Sequence, residues 1–298
     1  MATVDPPTSS GGPADDQFGG PTALRIVLGS QLRRLREASD ITRAAAGYSI
    51  RGSESKISRL ELGRVGLKER DVADLLTMYG VTSQADRESF LEMVRRSNQP
   101  GWWHRYNDLM PDWFHDYVGL EEAASRILTY ELQFVPGLLQ TEDYARAIAS
   151  HGRPEAAGED VQRRVALRMS RQKILARPGA PRLWAVVDES VLHRPIGGRD
   201  VMLAQLDHLL EITKRSHITL QIVPYALSGY AAEGPFTMLR FNEPELPDLV
   251  YIEHLAGAMY LDRRDELEIY SRVFDRLTVD AATPDRTRQM LAKARAAL

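Results

Sequence analysis

Side chains that can bind nucleic acid are concentrated in residues 42–64. Hydroxyl, carboxylate and guanidinium groups hydrogen-bond to base edges, and basic groups pair with phosphates. Ile57 and Leu60 are three apart and would face a protein core, which leaves the polar residues around them toward solvent. We expect bases to be contacted by Ser53, Glu54, Ser55 and Arg59, and phosphates to be bound by Arg43, Lys56 and Arg64.

Two short helices joined by a tight turn would position these groups. Thr42 is a suitable N-cap for the first helix, and Ser53 is a suitable N-cap for the second. Gly52 interrupts the apolar pattern between them, and Gly63 supplies a stop at the end of the second helix. This arrangement is that of a helix-turn-helix, whose second helix meets base edges with its N-terminal end.

The wider apolar spacing predicts an all-α domain over residues 22–98. Its five helices are expected at 24–38, 42–48, 53–61, 69–79 and 84–97. Residues 1–21 carry Pro, Gly, Ser and Asp with few large apolar side chains, so we expect a disordered tail.

The charge distribution agrees with a nucleic-acid partner. Residues 25–70 contain eleven Lys and Arg against five Asp and Glu, although the net charge of the chain is −3. The alternative is a helical bundle in which Lys56, Arg59 and Arg64 form a solvated face. The local excess of positive charge favours phosphate contacts.

This region resembles the xenobiotic-response-element (XRE), or Cro/repressor-like, family of helix-turn-helix regulators. The run SRLELGR at 58–64 matches the S-R-x-E-x-G-R end of that family's recognition helix, and the similarity extends to LRRLR at 32–36 and VADLL at 72–76. Arg43 stands where the family usually has Gln. The resemblance therefore implies a phosphate contact at this position rather than base recognition.

Composition excludes several other classes. The chain of 298 residues has no cysteine, which excludes disulfides, iron–sulfur clusters and thiol nucleophiles. No apolar run reaches the length of a membrane span, and no signal-peptide pattern opens the chain, so we expect a cytoplasmic, nucleoid-associated protein with no membrane contact.

A cluster of aromatic residues marks residues 99–118, which we predict to be a connector. It contains Trp102, Trp103, Trp113, Phe114 and Tyr117. One interpretation is a ligand cage or a base-stacking platform. The interpretation we favour is a connector whose aromatic side chains pack against the second domain and fix the two domains relative to each other.

Residues 119–298 alternate helical and extended patterns and predict an α/β or α+β domain with a mixed sheet, in a chain that is α+β overall. Helices are expected at 121–132, 142–150, 160–177, 200–214, 262–277 and 284–297. Strands are expected at 183–187, 218–223, 236–241 and 249–253.

This half resembles the C-terminal domain of actinobacterial XRE-type regulators that include the WhiJ-like proteins. The resemblance is carried by VPGLLQT at 135–141, DESVL at 188–192 and QIVP at 221–224. It implies a transcriptional regulator or an antitoxin-like partner of a small protein encoded nearby, and it leaves the ligand of the domain open.

The best catalytic candidate is Asp188, Glu189 and Ser190 at a strand end, with His193 three residues on. The favoured alternative is that Asp188 or Ser190 caps a short helix. Known catalytic motifs are missing, and the seven histidines lack metal-ligand spacing, with His254 beside Glu253 expected to be a structural pair. We therefore expect no enzyme activity, no cofactor and no metal.

A Gly-rich stretch at 229–235 lies between two predicted strands and is either a lid over a pocket or an ordinary loop. If it is a lid, effector binding would involve Tyr225, Tyr230 and Glu233.

These observations predict a sequence-specific, dimeric transcriptional regulator that binds a pseudo-palindromic site in double-stranded DNA. Its C-terminal domain would dimerise and receive a small molecule or a small protein partner. The alternative is an antitoxin-like interaction protein that sequesters a small partner and regulates its own operon.

Overall fold

The computed structural model describes residues 20–152, 158–226 and 233–298. The predicted tail lies outside these residues except for Gly20 and Pro21, and the first helix begins at Pro21. The chain divides into two units. The first ends at Trp102 and includes Asn242–Leu246, and the second comprises Trp103–Phe241 and Pro247–Leu298.

Five helices form the first unit, each within three residues of its predicted bounds. They are α1 (Pro21–Ala38), α2 (Arg43–Ser49), α3 (Glu54–Glu61), α4 (Glu69–Met78) and α5 (Gln84–Ser97). Ile57 and Leu60 of α3 are buried, as their spacing predicts. They join a core that includes Leu28, Leu32, Ala46, Val72, Leu75 and Val94.

Two glycines permit the close approach of α1 to α3. A Cβ atom on Gly29 would lie 2.5 Å from the carbonyl oxygen of Leu60, which is too short for any side chain. Gly63 ends α3 with a φ of +66°, in the left-handed region that favours glycine, and a Cβ there would lie 2.8 Å from Ile26. Small residues at these points therefore fix how deeply α3 is seated.

The second unit has seven helices and six strands among the described residues. The helices are α6 (Asp112–Ala123), α7 (Glu142–Gly152), α8 (Gly158–Gln172), α9 (Ser190–His193), α10 (Arg199–Ile212), α11 (Arg264–Asp280) and α12 (Pro284–Ala297). The strands are β1 (Arg126–Glu131), β2 (Arg182–Asp188), β3 (Ile218–Val223), β4 (Phe236–Arg240), β5 (Leu249–His254) and β6 (Gly257–Leu261).

The strands form one mixed sheet in the order β3-β2-β1-β4-β5-β6. Strands β1, β2 and β3 are parallel, and β4, β5 and β6 are antiparallel to their neighbours. This mixed sheet with helices confirms the predicted α+β class.

One secondary-structure prediction for this unit was wrong, and one strand was missed. The helix expected at 121–132 is the end of α6 followed by the central strand β1, because Ala124 and Ser125 leave the helical conformation and alternation then places Tyr130 and Glu131 on opposite faces. Strand β6 was not predicted. It pairs with β5 from His254 opposite Gly257 onward, so its formation depends on that partner.

The two faces of the sheet have different environments. Tyr130, Phe236 and Val250 point to one face, where they pack against Phe274 and Leu277 of α11. Alternate residues of the same strands point to the other face, where α6 and α8 lie near the sheet around a cavity. The second face therefore carries the polar side chains that line the cavity.

We predict that Gly29→Ala lowers the free energy of unfolding of the first unit by about 1–3 kcal/mol, because its methyl group would meet the backbone of α3. Urea unfolding with hydrogen exchange of α1 and α3 peptides measures this. Gly66→Ala is the matched control, since its Cβ would lie 3.6 Å from its nearest neighbour. Equal stability of the two variants would contradict the tight α1–α3 contact.

Candidate functional site

The turn between α2 and α3 is fixed by local hydrogen bonds. The Thr42 hydroxyl accepts from the Ala45 amide at 3.2 Å, and the Ser53 hydroxyl accepts from the Lys56 amide at 3.2 Å, as the capping prediction requires. The Gly52 amide donates to the Gly47 carbonyl at 2.8 Å. Both helices therefore begin at the predicted caps, and α3 begins directly after a closed turn.

The polar residues predicted to read bases lie on the exposed surface of the first unit. Ser53, Glu54, Ser55 and Arg59 are exposed, and so is Arg64 just beyond the helix. Within the described ranges, the Arg59 guanidinium makes one long hydrogen bond of 3.4 Å, to the Ser55 carbonyl. These side chains are thus open to a partner along the N-terminal part of α3.

A buried carboxylate at the end of α3 joins three helices. The Glu61 side chain is only 2% exposed. It accepts from Arg36 Nε of α1 at 2.5 Å and from Arg43 Nε of α2 at 2.9 Å. Arg36 also donates to the Ile41 carbonyl at 2.9 Å, in the segment between α1 and α2. This network fixes α3 relative to the two helices before it.

A second buried carboxylate ties α3 to the following helix. Asp71 of α4 is buried and accepts from Lys56 Nζ at 2.6 Å. Sequence analysis assigned Lys56 and Arg43 to phosphates, and the structure places both in ion pairs with buried acids. Each side chain is still about one-third exposed, at 34% for Lys56 and 37% for Arg43.

The two buried acids that fix the position of the recognition helix, Glu61 and Asp71, were not predicted from the sequence. Glu61 lies 25 residues from Arg36, and Asp71 lies 15 residues from Lys56. Local sequence patterns do not reach over these separations. Sequence analysis also missed Tyr48, which is 85% exposed on α2, and Arg51, which is exposed in the turn with a φ of +53°.

The second unit contains a cavity of about 720 Å³ on the face of the sheet opposite α11. Ligand pockets have volumes of about 300–1,000 Å³. Residues of α6, α7, α8, β1 and β5 and of the segment 133–140 line it. Its aromatic members include Trp113, Phe114 and Tyr117, so part of the predicted aromatic cluster lies on α6 and faces this space.

One pair of opposite charges in the cavity wall is fully satisfied. Arg171 of α8 donates to both carboxylate oxygens of Glu121 of α6, at 2.8 and 2.7 Å. The same guanidinium lies over the rings of Phe114 and Tyr117, and Tyr117 stacks on Tyr251 at 4.1 Å. This set holds α6 and α8 together at the wall of the cavity.

Two other charged residues in the wall do not form an ion pair. The Glu131 carboxylate makes no hydrogen bond to the described residues, and burial together with the nearby Glu253 raises its pKa to about 7. Arg168 donates to the Gln140 side chain at 2.9 Å. Burial and the nearby Arg171 lower the pKa of Arg168 to about 10.

Tyr225 and Glu233, the two predicted effector residues that the structure describes, are not among the residues that line the cavity. Tyr225 is exposed and stacks on His193 at 5.7 Å, and Glu233 is also exposed. Tyr230 and residues 229–232 of the predicted lid lie outside the described residues, whereas Pro235 lines the cavity.

The catalytic candidate at the end of β2 has local hydrogen bonds typical of a cap. Asp188 accepts from the Ser190 amide at 2.9 Å, and the Ser190 hydroxyl donates to the Leu132 carbonyl at 2.9 Å. Glu189 accepts from the Tyr225 amide at 2.7 Å. Ser190 is therefore not bonded to His193, and among described residues Glu253 accepts from Tyr251 at 2.9 Å rather than pairing with His254.

Comparison with known families covers most of the chain. Residues 114–293 match a domain of unknown function, DUF5753, and this is more than half of the chain. The chain belongs to the DUF5753 family. Residues 27–90 match a helix-turn-helix domain. The protein is therefore a DNA-binding regulator with a helix-turn-helix unit followed by a DUF5753 domain.

Other comparisons give no further relative. No curated protein and no solved structure matches the chain. Among the described residues, no helix has both the length and the apolar character needed to cross a membrane.

We predict that Glu61→Gln lowers the free energy of unfolding of the first unit by about 3–5 kcal/mol, because it removes the buried carboxylate that two arginines share and leaves the buried Arg36 with only the half-exposed carboxylate of Glu37. Chemical unfolding measures this. Glu69→Gln, which breaks an exposed pair with Arg95, is the control and should cost less than about 1 kcal/mol. A small effect of Glu61→Gln would show that the network does not hold the helices.

We predict a pH dependence of stability in the DUF5753 domain from Glu131. Its pKa is raised from 4.5 to about 7 in the folded state, so its contribution to stability is complete below pH 4.5 and is lost as the pH rises through 7. Thermal unfolding of the wild type and of Glu131→Gln between pH 4.5 and 8 isolates this loss, which the variant should not show. Glu142→Gln, an exposed acid on α7, should keep the wild-type profile.

Proposed function

We propose that the protein is a sequence-specific, dimeric transcriptional regulator whose DUF5753 domain receives a small-molecule signal. The observation that carries the proposal is the exposed N-terminal part of α3. Ser53 caps this end of the helix, and the buried Glu61 at the other end binds Arg36 of α1. In helix-turn-helix proteins this end of the second helix enters the major groove.

The side chains on this surface divide by chemistry. Arg59 has the donor geometry for the two acceptors of guanine, Glu54 accepts from the amino group of cytosine, and Ser53 and Ser55 pair with donors or acceptors. Arg64 lies beyond the helix end and would bind a phosphate. These assignments keep the predicted base and phosphate roles for the exposed residues.

Arg43 and Lys56 would contribute to phosphate binding through their remaining donors. Glu61 occupies Nε of Arg43, and the terminal nitrogens make no hydrogen bond with the described residues. A guanidinium oriented in this way loses little conformational entropy on binding a phosphate. The Lys56 ammonium already donates to Asp71, so we expect Lys56 to contribute less to phosphate binding than Arg43 does.

Dimerisation is proposed because a single module of this size buries too little surface for high specificity. Two copies related by a two-fold axis would read half-sites about 34–36 Å apart on one face of the duplex. The bound sequence should then be pseudo-palindromic. The role of the DUF5753 domain as signal receiver is supported by its cavity, whose volume of about 720 Å³ suits a small organic molecule.

Selection of bound fragments from a randomised DNA pool by the purified protein, at fixed salt, tests this function. We expect an enriched pseudo-palindrome. On that site, Arg59→Ala should cost about 1–3 kcal/mol of binding free energy and relax preference at one base pair. Arg64→Ala should weaken binding to all sequences alike and reduce the salt dependence, since it removes only a phosphate contact.

Arg70→Ala is the matched control, because Arg70 is exposed on α4 and lies beside Asp71 rather than on α3. Unchanged base preference in Arg59→Ala would contradict the placement of the recognition helix. No enrichment from the pool would contradict autonomous specific binding. It would favour the antitoxin-like alternative, which co-purification of a stoichiometric small protein from the native host would then support.

A further inference from the structure

The sheet register places two carboxylates on the cavity side of the second unit. Thr129 of β1 pairs with Thr237 of β4, and Thr237 pairs with Tyr251 of β5, so these three residues share one face. Glu131 and Glu253 each lie two residues further along their strands and therefore point to the same face. Both line the cavity, with β4 between their strands.

The distance between the two strands explains how the carboxylates interact. Strands β1 and β5 are two strand spacings apart, or about 10 Å. Burial and the charge of Glu253 together raise the pKa of Glu131. Glu253 already accepts from Tyr251, which leaves Glu131 as the carboxylate without a hydrogen-bond donor among described residues.

Helix α8 supplies a cation that forms no ion pair with any residue in the described part of the chain. Arg164, Arg168 and Arg171 are spaced four and three residues apart on α8 and face the cavity together. Arg171 is neutralised by Glu121, whereas the hydrogen bond that Arg168 makes to a described residue goes to the neutral amide oxygen of Gln140. Arg168 and Glu131 influence each other electrostatically but form no ion pair.

Glu131 and Arg168 are each partly buried, and a protein gains little stability from two opposite charges that are partly desolvated and do not meet. Desolvation of each ion is costly and is offset only by a close partner. Within the described residues the neighbouring Arg171–Glu121 pair shows that this wall can form a bidentate contact. Glu131 and Arg168 line the same cavity without meeting. A ligand between them that carries a positive group for Glu131 and a negative group for Arg168 would satisfy both.

We propose that this cavity binds a small zwitterionic organic molecule of the α-amino-acid type, with its ammonium group against Glu131 and its carboxylate against Arg168. The ammonium would donate to Glu131 and face Glu253, and Arg168 would donate to the carboxylate. The rest of the ligand would occupy the apolar part of the cavity, which is lined by Leu109, Phe134, Leu138, Ile148 and Leu167.

This proposal deepens the signal-receiving role proposed above, and it rests on that role only in making the ligand a regulator of DNA binding. The binding of the ligand itself depends on the described residues of the second unit alone. Ligand affinity and DNA affinity are therefore measured separately.

Isothermal titration of the full-length protein at pH 8 with three related compounds tests the site. L-Tryptophan carries both charges, tryptamine carries only the amine, and indole-3-propionate carries only the carboxylate. We expect saturable binding of L-tryptophan, about tenfold or more tighter than that of either analogue, because each loses one charge-assisted hydrogen bond.

Two variants assign the charges to their residues. Glu131→Gln should weaken L-tryptophan and tryptamine about tenfold and leave indole-3-propionate within about twofold. Arg168→Gln should weaken L-tryptophan and indole-3-propionate and leave tryptamine unchanged, and Arg168→Lys should restore part of the loss. Glu142→Gln and Arg146→Gln remove an exposed ion pair of α7 and are the matched controls. Circular dichroism melts establish that every variant is folded.

The pH dependence gives an independent readout. Binding of L-tryptophan should strengthen from pH 6 to pH 8 and release protons, because Glu131 with a pKa of about 7 must ionise to accept the ammonium. Glu131→Gln should remove this dependence. The other titratable or charged groups around it, among the described residues, are Tyr251, Glu253 and His254 on β5, Arg164, Arg168 and Arg171 on α8, Tyr117 and Glu121 on α6, and Tyr144 on α7.

Three results would overturn the proposal. These are no saturable binding of any of the three compounds, equal affinity for L-tryptophan and for an analogue with one charge, or equal effects of the site variants and the α7 controls. If L-tryptophan binds as expected but does not change affinity for the selected DNA, the site stands and the regulatory role fails. If the protein selects no DNA, the proposed function fails independently of the site.

Discussion

The buried Glu61 carboxylate is the interaction on which the first unit depends. It lies at the end of α3 and accepts hydrogen bonds from Arg36 of α1 and Arg43 of α2, so one side chain fixes the relative position of three helices. An ion buried to 2% exposure is favourable only when its partners are close and well oriented. The cost of misplacing α3 is therefore the cost of an uncompensated buried charge, and this restricts the recognition helix to one position.

The second unit uses buried charge in two ways. Arg171 and Glu121 form a complete bidentate pair that joins α6 to α8, as Glu61 joins the helices of the first unit. Glu131 and Arg168 face the same cavity and do not form an ion pair. Their desolvation disfavours the charged forms, which raises the pKa of Glu131 and lowers the pKa of Arg168. The Arg171–Glu121 pair stabilises the packing of α6 against α8. Glu131 and Arg168 lie where a bound ligand would supply the opposite charge that each lacks.

Local signals explain what the sequence alone could predict. The caps Thr42 and Ser53, the stop at Gly63 and the spacing of Ile57 and Leu60 act within a few residues, and the five helices of the first unit follow from them. The role of Glu61 and the cavity could not be predicted in this way, because their partners are distant in sequence. The prediction of a helix at 121–132 is wrong over β1 because this strand lies at the centre of the sheet. Its conformation is set by pairing with β2 and β4, which are distant in sequence.

The most direct test of the account is the affinity of Glu61→Gln for the selected DNA site and for a scrambled duplex, measured below the unfolding temperature of the variant. The substitution removes no side chain from the exposed surface of α3 and adds no negative charge. We expect a large loss of affinity for the selected site and no loss of binding to the scrambled duplex, because the substitution moves the base-reading residues of α3 and removes no basic side chain. Wild-type affinity and base preference in the folded variant would contradict the claim that this buried carboxylate positions the recognition helix.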